Sequence, residues 1–121
     1  MEWLQMRQPI QVLIYPVKFA GSDWEYLLLK RVPSRGEFWQ GVTGGVEESE
    51  DLVEAARREL IEETGLAHSS LERIDYTYSF PVEDKWRHLY ATGVERIIEY
   101  VFIAYIDSQQ NPIIYPDEHD K

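Results

Sequence analysis

Runs of apolar side chains that are rich in β-branched and aromatic residues, separated by polar, turn-forming stretches, predict strands along most of the chain. The first two runs are separated by the turn-forming stretch Ala20-Gly21-Ser22-Asp23, which predicts a hairpin near the N-terminus. A short aromatic run ends in Thr43-Gly44-Gly45, and these glycines predict a loop. The predicted strands cover residues 10–19, 25–31, 38–42, 71–80, 97–106 and, in the tail, 112–115.

One segment has the helical period instead. Residues 51–63 are good helix formers, Ser49 and acidic residues precede them, and Gly65 stands where a helix-ending glycine belongs. At 100° per residue the apolar side chains fall in one arc, and three glutamates lie on its edge. The apolar arc contains Leu52, Ala55, Ala56 and Leu60, and the glutamates are Glu59, Glu62 and Glu63.

A single helix between strands predicts a mixed sheet with that helix packed on one face, an α/β or α+β layered domain. A polar stretch at residues 81–93 predicts a loop long enough to be functional. The chain of 121 residues fits one domain, and its 44% hydrophobic content is that of an ordinary globular protein.

Charge and composition narrow the classes of function. A net charge of -10 argues against a nucleic-acid polymer as partner, since polymer binding depends on Lys and Arg at phosphates. The chain has no cysteine, so any metal is held by oxygen or imidazole ligands. Neither an export signal nor a membrane span is indicated, and we expect a cytoplasmic protein without a membrane partner.

The acidic residues are concentrated around the predicted helix. Positions 47, 48, 50, 51, 54, 59, 62 and 63 are acidic, whereas this stretch has two arginines. Glutamates at i, i+3 and i+4 repel one another, and the hard cations Mg²⁺ and Mn²⁺ would relieve that repulsion. The expected ligand is a small polyphosphate. The alternative on spacing alone is a solvated acidic face. Arg58 lies four residues after Glu54 and four before Glu62, placed to hold carboxylates.

These residues form a long fixed pattern. Gly44 is followed by Glu50 and then by residues 58–66, Arg-Glu-Leu-Ile-Glu-Glu-Thr-Gly-Leu. The pattern resembles that of the Nudix hydrolase family at every fixed position and in both spacings. The resemblance implies an α/β/α sandwich around a mixed sheet, as a single domain over residues 1–121. It also implies Mg²⁺-dependent hydrolysis of a nucleoside diphosphate linked to another group.

The resemblance also implies roles for individual residues. Glu59 and Glu63 would be metal ligands, Glu62 a third ligand or a base, and Arg58 the side chain that orients them. A general base or a further metal ligand is expected well downstream, where Glu118 is the first candidate. Glu99 is the second candidate for the base.

Residues 38–48, 87–94 and 117–119 resemble the bacterial branch that hydrolyses dihydroneopterin triphosphate and dATP to a monophosphate and pyrophosphate. This likeness implies substrate contacts from five residues. They are Arg7, Arg31, Thr43, Arg87 and His88. Phe38 and Trp39 would stack on a heterocycle in one interpretation, but aromatic residues in a strand favour a place in the core.

Two alternatives to this function stay open. Pro81 lies 15 residues after Leu66, roughly where relatives that cleave ADP-ribose carry a proline, which favours a nucleoside diphosphate sugar. A ligand-sensing domain without catalysis is the other. The chain stops three residues after Glu118, so we expect it to lack the family's C-terminal helix, which leaves the substrate open. Relatives are frequently dimers, and a homodimer is a further expectation.

Overall fold

The computed structural model describes residues 6–30, 39–67 and 70–107. These contain seven strands, one α-helix and one 3₁₀ helix. In chain order they are β1 Ile10–Ala20, β2 Asp23–Tyr26, β3 Leu29–Lys30, β4 Trp39–Gln40, β5 Val42–Gly45, α1 Leu52–Thr64, β6 Ser70–Pro81, the 3₁₀ helix Asp84–Leu89 and β7 Arg96–Tyr105.

The long strand β1 lies at the centre of a mixed five-stranded sheet. Along one side it pairs antiparallel with β5 through its first half and with β2 through its second half. Along the other side it pairs parallel with β7, and β7 pairs antiparallel with β6. The strands β3 and β4 form a separate two-stranded ladder. The predicted mixed sheet with a helix is therefore confirmed.

Helix α1 begins and ends as the sequence predicts. Asp51 is the N-cap, its side chain accepts from the Glu54 amide at 2.8 Å, and the Glu54 side chain accepts in return from the Asp51 amide. Gly65 ends the helix in the left-handed region at φ 73° and donates its amide to the Ile61 carbonyl. The capping box and the glycine satisfy backbone groups that helix ends otherwise leave without partners.

The apolar arc of α1 packs on one face of the sheet and forms the core. Ala55 and Ala56 are completely buried, and their small side chains let the helix approach β5 and β1 closely. The members of this core cluster are Val12, Ile14, Val42, Val46, Ala55, Ala56, Leu60, Leu66, Phe102 and Ala104. Because this face is apolar and buried, close packing fixes the position of α1 relative to β5.

The structure corrects two predicted boundaries. Of the predicted strand 25–31, the described residues 25–30 belong to two short strands in different sheets. The amide of Leu27 still donates to the Pro16 carbonyl, but proline has no amide hydrogen to donate in return, and the ladder between β1 and β2 ends there. Thr43, Gly44 and Gly45 were predicted as a loop but belong to β5, since β1 offers them a paired edge. Tertiary pairing here overrides the weak strand propensity of glycine.

Three further predictions have different outcomes. The predicted loop at 81–93 contains the 3₁₀ helix. The second helical layer of a sandwich and the predicted strand at 112–115 lie outside the described residues. Among residues 6–30, 39–67 and 70–107, no helix is long and apolar enough to cross a membrane.

Candidate active site

The two faces of the sheet carry different side chains because partners in register point the same way. Val12 lies opposite Gly44, and both face α1. Leu13 lies opposite Thr43, and both line a cleft on the other face. Consecutive residues of β5 thus belong to two separate surfaces, one under the acidic helix and one away from it.

Gly44 provides the closest contact between β5 and α1. A Cβ added at this position would lie 1.9 Å from Cδ of Glu59 and 2.3 Å from each of its carboxylate oxygens. Any side chain would therefore occupy the space of this carboxylate. A Cβ at the neighbouring Gly45 would meet nothing within 4 Å. Of these two neighbouring glycines, Gly44 is therefore the one whose missing side chain makes room for the Glu59 carboxylate.

Arg58 connects the acidic residues at this end of the helix. Its Nε and Nη2 donate to the two carboxylate oxygens of Glu50 at 2.8 and 2.9 Å, and Nη2 also donates to the Gly45 carbonyl at 2.8 Å. Its Nη1 donates to Glu59 at 2.6 Å and lies 3.5 Å from Glu62. The guanidinium thus anchors α1 to the preceding loop while orienting Glu59.

The sequence predicted that Arg58 lies near Glu54 and Glu62, and the structure places it near Glu62 only. The four-residue spacing suggested Glu54 as a partner, but Glu54 caps the helix through Asp51 instead. Glu50, eight residues before Arg58 in the sequence, is the strong partner. A turn after Val46, in which the Glu50 amide donates to the Glu47 carbonyl, brings Glu50 to the guanidinium.

The two carboxylates that accept hydrogen bonds from Arg58, those of Glu50 and Glu59, have opposite pKa shifts. The hydrogen bonds from Arg58 lower the pKa of Glu50 below its ordinary value. Burial raises the pKa of Glu59, although Arg58 donates to it. An ion pair alone would lower the pKa of Glu59, so here desolvation outweighs the pair. The Glu50 contact also raises the pKa of Arg58, which remains a cation.

Glu59, Glu62 and Glu63 differ in exposure. The side chain of Glu59 is 13% exposed and that of Glu62 is 50% exposed, while Glu63 is buried at 6%. In the described part of the chain, no three His, Asp or Glu side chains are arranged as a complete metal site. Mg²⁺ uses few carboxylates and takes other ligands from water and phosphate. The carboxylate oxygens of Glu59, Glu62 and Glu63 are donors of the type that such an ion takes.

The face of the sheet away from α1 contains the carboxylate of Glu99, the second candidate for the base. The sequence did not predict on which face it lies. Glu99 on β7 is 3% exposed and accepts hydrogen bonds from the Gln11 side-chain amide and the Tyr78 hydroxyl. Burial raises the pKa of Tyr78, so its phenol remains a donor. Glu99 lines a cleft of about 630 Å³ with Thr43 and other residues of this face. The sheet separates it from the α1 glutamates, so the structure does not bring the second candidate base to them.

Three predicted substrate contacts lie on two adjacent segments. The amide of Arg7 donates to the Leu89 carbonyl at 2.7 Å, so this residue runs beside the 3₁₀ helix that contains Arg87 and His88. Arg7, Arg87 and His88 are exposed, and Nε of Arg87 donates to Asp84 at 2.8 Å. Arg7, Arg87 and His88 thus lie on the surface around the 3₁₀ helix.

Other predicted residues lie outside the described residues, namely Arg31, Phe38 and Glu118. Trp39 belongs to β4 by its backbone. Sequence reasoning did not select Gln11 and Tyr78 as members of the site. One signal was present, because Gln11 and Glu99 are polar residues within otherwise apolar stretches of β1 and β7.

Comparison with known proteins shows the family to which the chain belongs. The family description NUDIX domain matches residues 8–121. The chain belongs to the Nudix family.

Individual relatives are more specific in their names. An *Escherichia coli* K12 protein named dihydroneopterin triphosphate diphosphatase is 37% identical over 97 residues, which cover 77% of this chain and 63% of that protein. A *Myxococcus xanthus* protein named octanoyltransferase is 46% identical over 69 residues, 57% of this chain and 19% of that one. This chain therefore spans less than two thirds of either relative.

A solved structure repeats the likeness in three dimensions. The structure of the *E. coli* dihydroneopterin triphosphate pyrophosphohydrolase superposes with a TM-score of 0.70 at 31% identity. The match covers 92% of this chain and 77% of that one. The sheet and α1 thus have the arrangement of the Nudix fold.

Proposed function

We propose that this protein is a Mg²⁺-dependent pyrophosphohydrolase. Its substrate would be a nucleoside-triphosphate-like molecule, either dihydroneopterin triphosphate or a purine (deoxy)nucleoside triphosphate. The products would be the monophosphate and pyrophosphate. The *E. coli* relative of that name supports the pterin substrate, and the net charge of -10 supports a small molecule over a nucleic-acid polymer. The expected compartment is the cytoplasm.

The observation that carries the proposal is the position of Glu59. Its carboxylate lies in the space that a side chain at position 44 would fill, and Arg58 fixes it at 2.6 Å. Holding a desolvated carboxylate beside Glu62 and Glu63 costs stability, as the raised pKa of Glu59 indicates. Proteins tolerate such a cost where the charge has a function. A solvated acidic face would need neither the burial nor Gly44.

The roles of the residues follow from the donor set. Glu59, Glu62 and Glu63 would hold Mg²⁺, with Mn²⁺ as a substitute. When bound, the cation supplies positive charge that stabilises the phosphate oxygens as the anhydride is cleaved. Arg58 would keep Glu59 in place and would itself be anchored by Glu50. We retain Glu118 as the proposed base and further metal ligand.

The remaining residues would bind the substrate. Arg7, Arg87 and His88 would approach the phosphates from the segment around the 3₁₀ helix, and Arg31 would add a further cation. Arg87 already pairs with Asp84, so it would exchange this carboxylate for a phosphate. Thr43 lies one residue before Gly44 on β5, and its side chain is on the sheet face away from α1. It would contact the substrate on that face.

Product analysis tests this proposal. The purified protein is incubated with Mg²⁺ and, separately, dihydroneopterin triphosphate, dGTP, dATP and ADP-ribose, and the products are separated by anion exchange. We expect a monophosphate and pyrophosphate from a triphosphate and no reaction after chelation of Mg²⁺. AMP and ribose 5-phosphate from ADP-ribose, without reaction on any triphosphate, would overturn the proposal in favour of the sugar substrate.

A further inference from the structure

The cleft opposite α1 has an unusual chemical lining. Its described walls are Gln11, Leu13, Tyr15, Leu28, Thr43, Tyr78, Phe80 and Glu99. None of these eight residues is basic, and the one charged group is a buried carboxylate. A phosphate would be repelled here, whereas an uncharged ring with hydrogen-bond donors would be attracted. The cleft therefore suits the heterocycle of the substrate and not its phosphates.

The carboxylate of Glu99 is held in a defined orientation. The Gln11 amide donates to Oε2 and the Tyr78 hydroxyl donates to Oε1, so each oxygen has one fixed donor. An ionised carboxylate offers about four acceptor positions, so both oxygens keep acceptor capacity. Two acceptors fixed side by side recognise a ligand edge that presents two adjacent donors.

This edge separates the candidate substrates. Guanine presents N1–H beside its 2-amino group, and a 2-amino-4-oxopteridine presents N3–H beside its 2-amino group. Adenine presents an amino donor beside the N1 acceptor, which would face a carboxylate oxygen with no hydrogen between them. A site that leaves such a mismatch buried discriminates strongly against it.

Aromatic rings continue from the carboxylate along β6. Tyr76, Tyr78 and Phe80 form a ladder with ring centroids 5.7 and 6.4 Å apart. Tyr78 and Phe80 line the cleft, where they would stack on a flat heterocycle. Leu13 and Leu28 supply apolar surface. A site for a heterocycle needs hydrogen bonds to the edge of the ring and stacking on the face of the ring, and this cleft offers both.

The cleft lies within reach of the α1 site. Gln11 is opposite Gly45 on one side and Glu99 on the other, which puts Glu99 about 10 Å from β5, or two strand spacings. Thr43 lines the cleft, and the next residue, Gly44, contacts Glu59. In the described residues β5 pairs along one edge only, and the other edge is where a substrate would extend from one face to the other.

We propose that Glu99, oriented by Gln11 and Tyr78, determines the specificity of this protein for a 2-amino-4-oxo heterocycle, guanine or pterin, over adenine. This assignment deepens the proposed function and depends on it for the identity of the reaction. The simpler role of the same contacts is to join β1, β6 and β7. That role predicts a stability effect without any change in selectivity.

Equilibrium binding separates the two roles without requiring turnover. The α,β-imido analogues of dGTP and dATP are titrated calorimetrically into the full chain with Mg²⁺. We expect the guanine analogue to bind about 10- to 100-fold more tightly, the usual range for a bidentate contact. In Glu99→Gln the ratio should fall to about threefold or less, because an amide matches the donor and acceptor of adenine.

Glu72→Gln is the matched control. Glu72 is also a strand glutamate that accepts from a tyrosine hydroxyl, that of Tyr105 at 3.1 Å, but it does not line the cleft. Its ratio should equal that of the unsubstituted protein. Should Glu99→Gln fail to fold, Glu99→Asp retains the charge, withdraws the oxygens by one methylene and is expected to lower the ratio as well.

Two results overturn the assignment, namely equal affinity of the unsubstituted protein for both analogues, or an unchanged ratio in the folded Glu99 variants. The proposed reaction fails in a different way. If dGTP and dihydroneopterin triphosphate are not hydrolysed while the guanine preference and its loss in Glu99→Gln are observed, the cleft keeps its assignment and the reaction does not.

Discussion

The two faces of the sheet hold glutamates by different means. On the α1 face, Arg58 donates to Glu50 and Glu59, so a cation compensates the carboxylates. On the opposite face, Glu99 receives donors from an uncharged amide and a phenol. In the proposed function, the guanidinium orients a carboxylate that also serves a metal. Neutral donors leave the charge uncompensated and available to select a ligand.

The two faces of the sheet also differ in the packing that positions their polar side chains. The α1 face is a buried apolar core that ends in charged groups, so the glutamates lie on a helix whose position is fixed by packing. The opposite face is a cleft whose polar groups come from four strands, β1, β5, β6 and β7. We infer that the first face performs the phosphate chemistry, whereas the second recognises the heterocycle. The following predictions test this division of labour.

The largest effect is expected at Glu59. Glu59→Gln removes a charged metal ligand and should lower kcat/KM by about a thousandfold, equivalent to roughly 4 kcal/mol of transition-state stabilisation. Steady-state kinetics of pyrophosphate release measure it. Glu54→Gln makes the same chemical change on the same helix and should be within about twofold of the unsubstituted protein, since glutamine also serves in a capping box. Equal losses in the two variants would contradict the assignment.

A second prediction compares neighbouring glycines. Gly44→Ala places a methyl group where the Glu59 carboxylate lies and should reduce kcat/KM about a hundredfold through misplacement of that group. Gly45→Ala meets nothing within 4 Å and should be nearly neutral. The same kinetic assay decides, with circular dichroism to confirm that both variants fold. Similar activities for the pair would show that the close approach is not needed.

A third prediction concerns stability and pH. Because Arg58 lowers the folded-state pKa of Glu50, the stability from this carboxylate is present above its unfolded pKa and lost as pH falls through the lower folded pKa. Glu50→Gln should therefore cost about 1–3 kcal/mol near pH 7, and the difference should shrink below about pH 4.

Glu59 should behave oppositely in metal-free protein. Its folded pKa is raised, so its contribution is present below the unfolded pKa and lost as pH rises through the folded one. Glu59→Gln should then be neutral or stabilising at pH 7. Denaturant unfolding from pH 3 to 8 in EDTA checks both signs. A loss of stability at neutral pH in both variants would refute the opposite shifts.

The smallest effect is expected in the cleft. Tyr78→Phe removes one donor from buried Glu99 and should cost about 1 kcal/mol of stability, with a weaker preference for guanine. Tyr105→Phe removes a similar hydrogen bond to the exposed Glu72 and should change stability by about 0.5 kcal/mol or less. Urea unfolding of the two variants measures the difference, and equal costs would indicate that Glu99 needs no fixed orientation.

Local signals predicted much of the α1 face. The helix, its glycine stop and its apolar arc depend on residues within a few turns of one another, as does the approach of Arg58 to Glu62. The contact of Gly44 with Glu59 was not predicted, because it requires the glycines to continue β5 as a strand. The local sequence favours a loop at these glycines, but their pairing with β1 makes them part of a strand.

The cleft could not be predicted because it depends on register between distant segments. Gln11 and Glu99 are 88 residues apart, and a shift of one residue between β1 and β7 would send them to opposite faces. The polar residue within each apolar strand was visible in the sequence. Only the sheet topology shows that the two residues meet, and that Tyr78 joins them from β6.

The most direct test of the division between the faces combines Glu59→Gln and Glu99→Gln. For each variant, kcat/KM and the guanine-to-adenine affinity ratio are measured under identical conditions with Mg²⁺. We expect Glu59→Gln to lose turnover while its affinity ratio is unchanged. We expect Glu99→Gln to keep turnover on dATP to within several-fold while the affinity ratio falls to about three or less. If each substitution reduced both quantities together, the two faces would not act separately, and the proposed division between them would be contradicted.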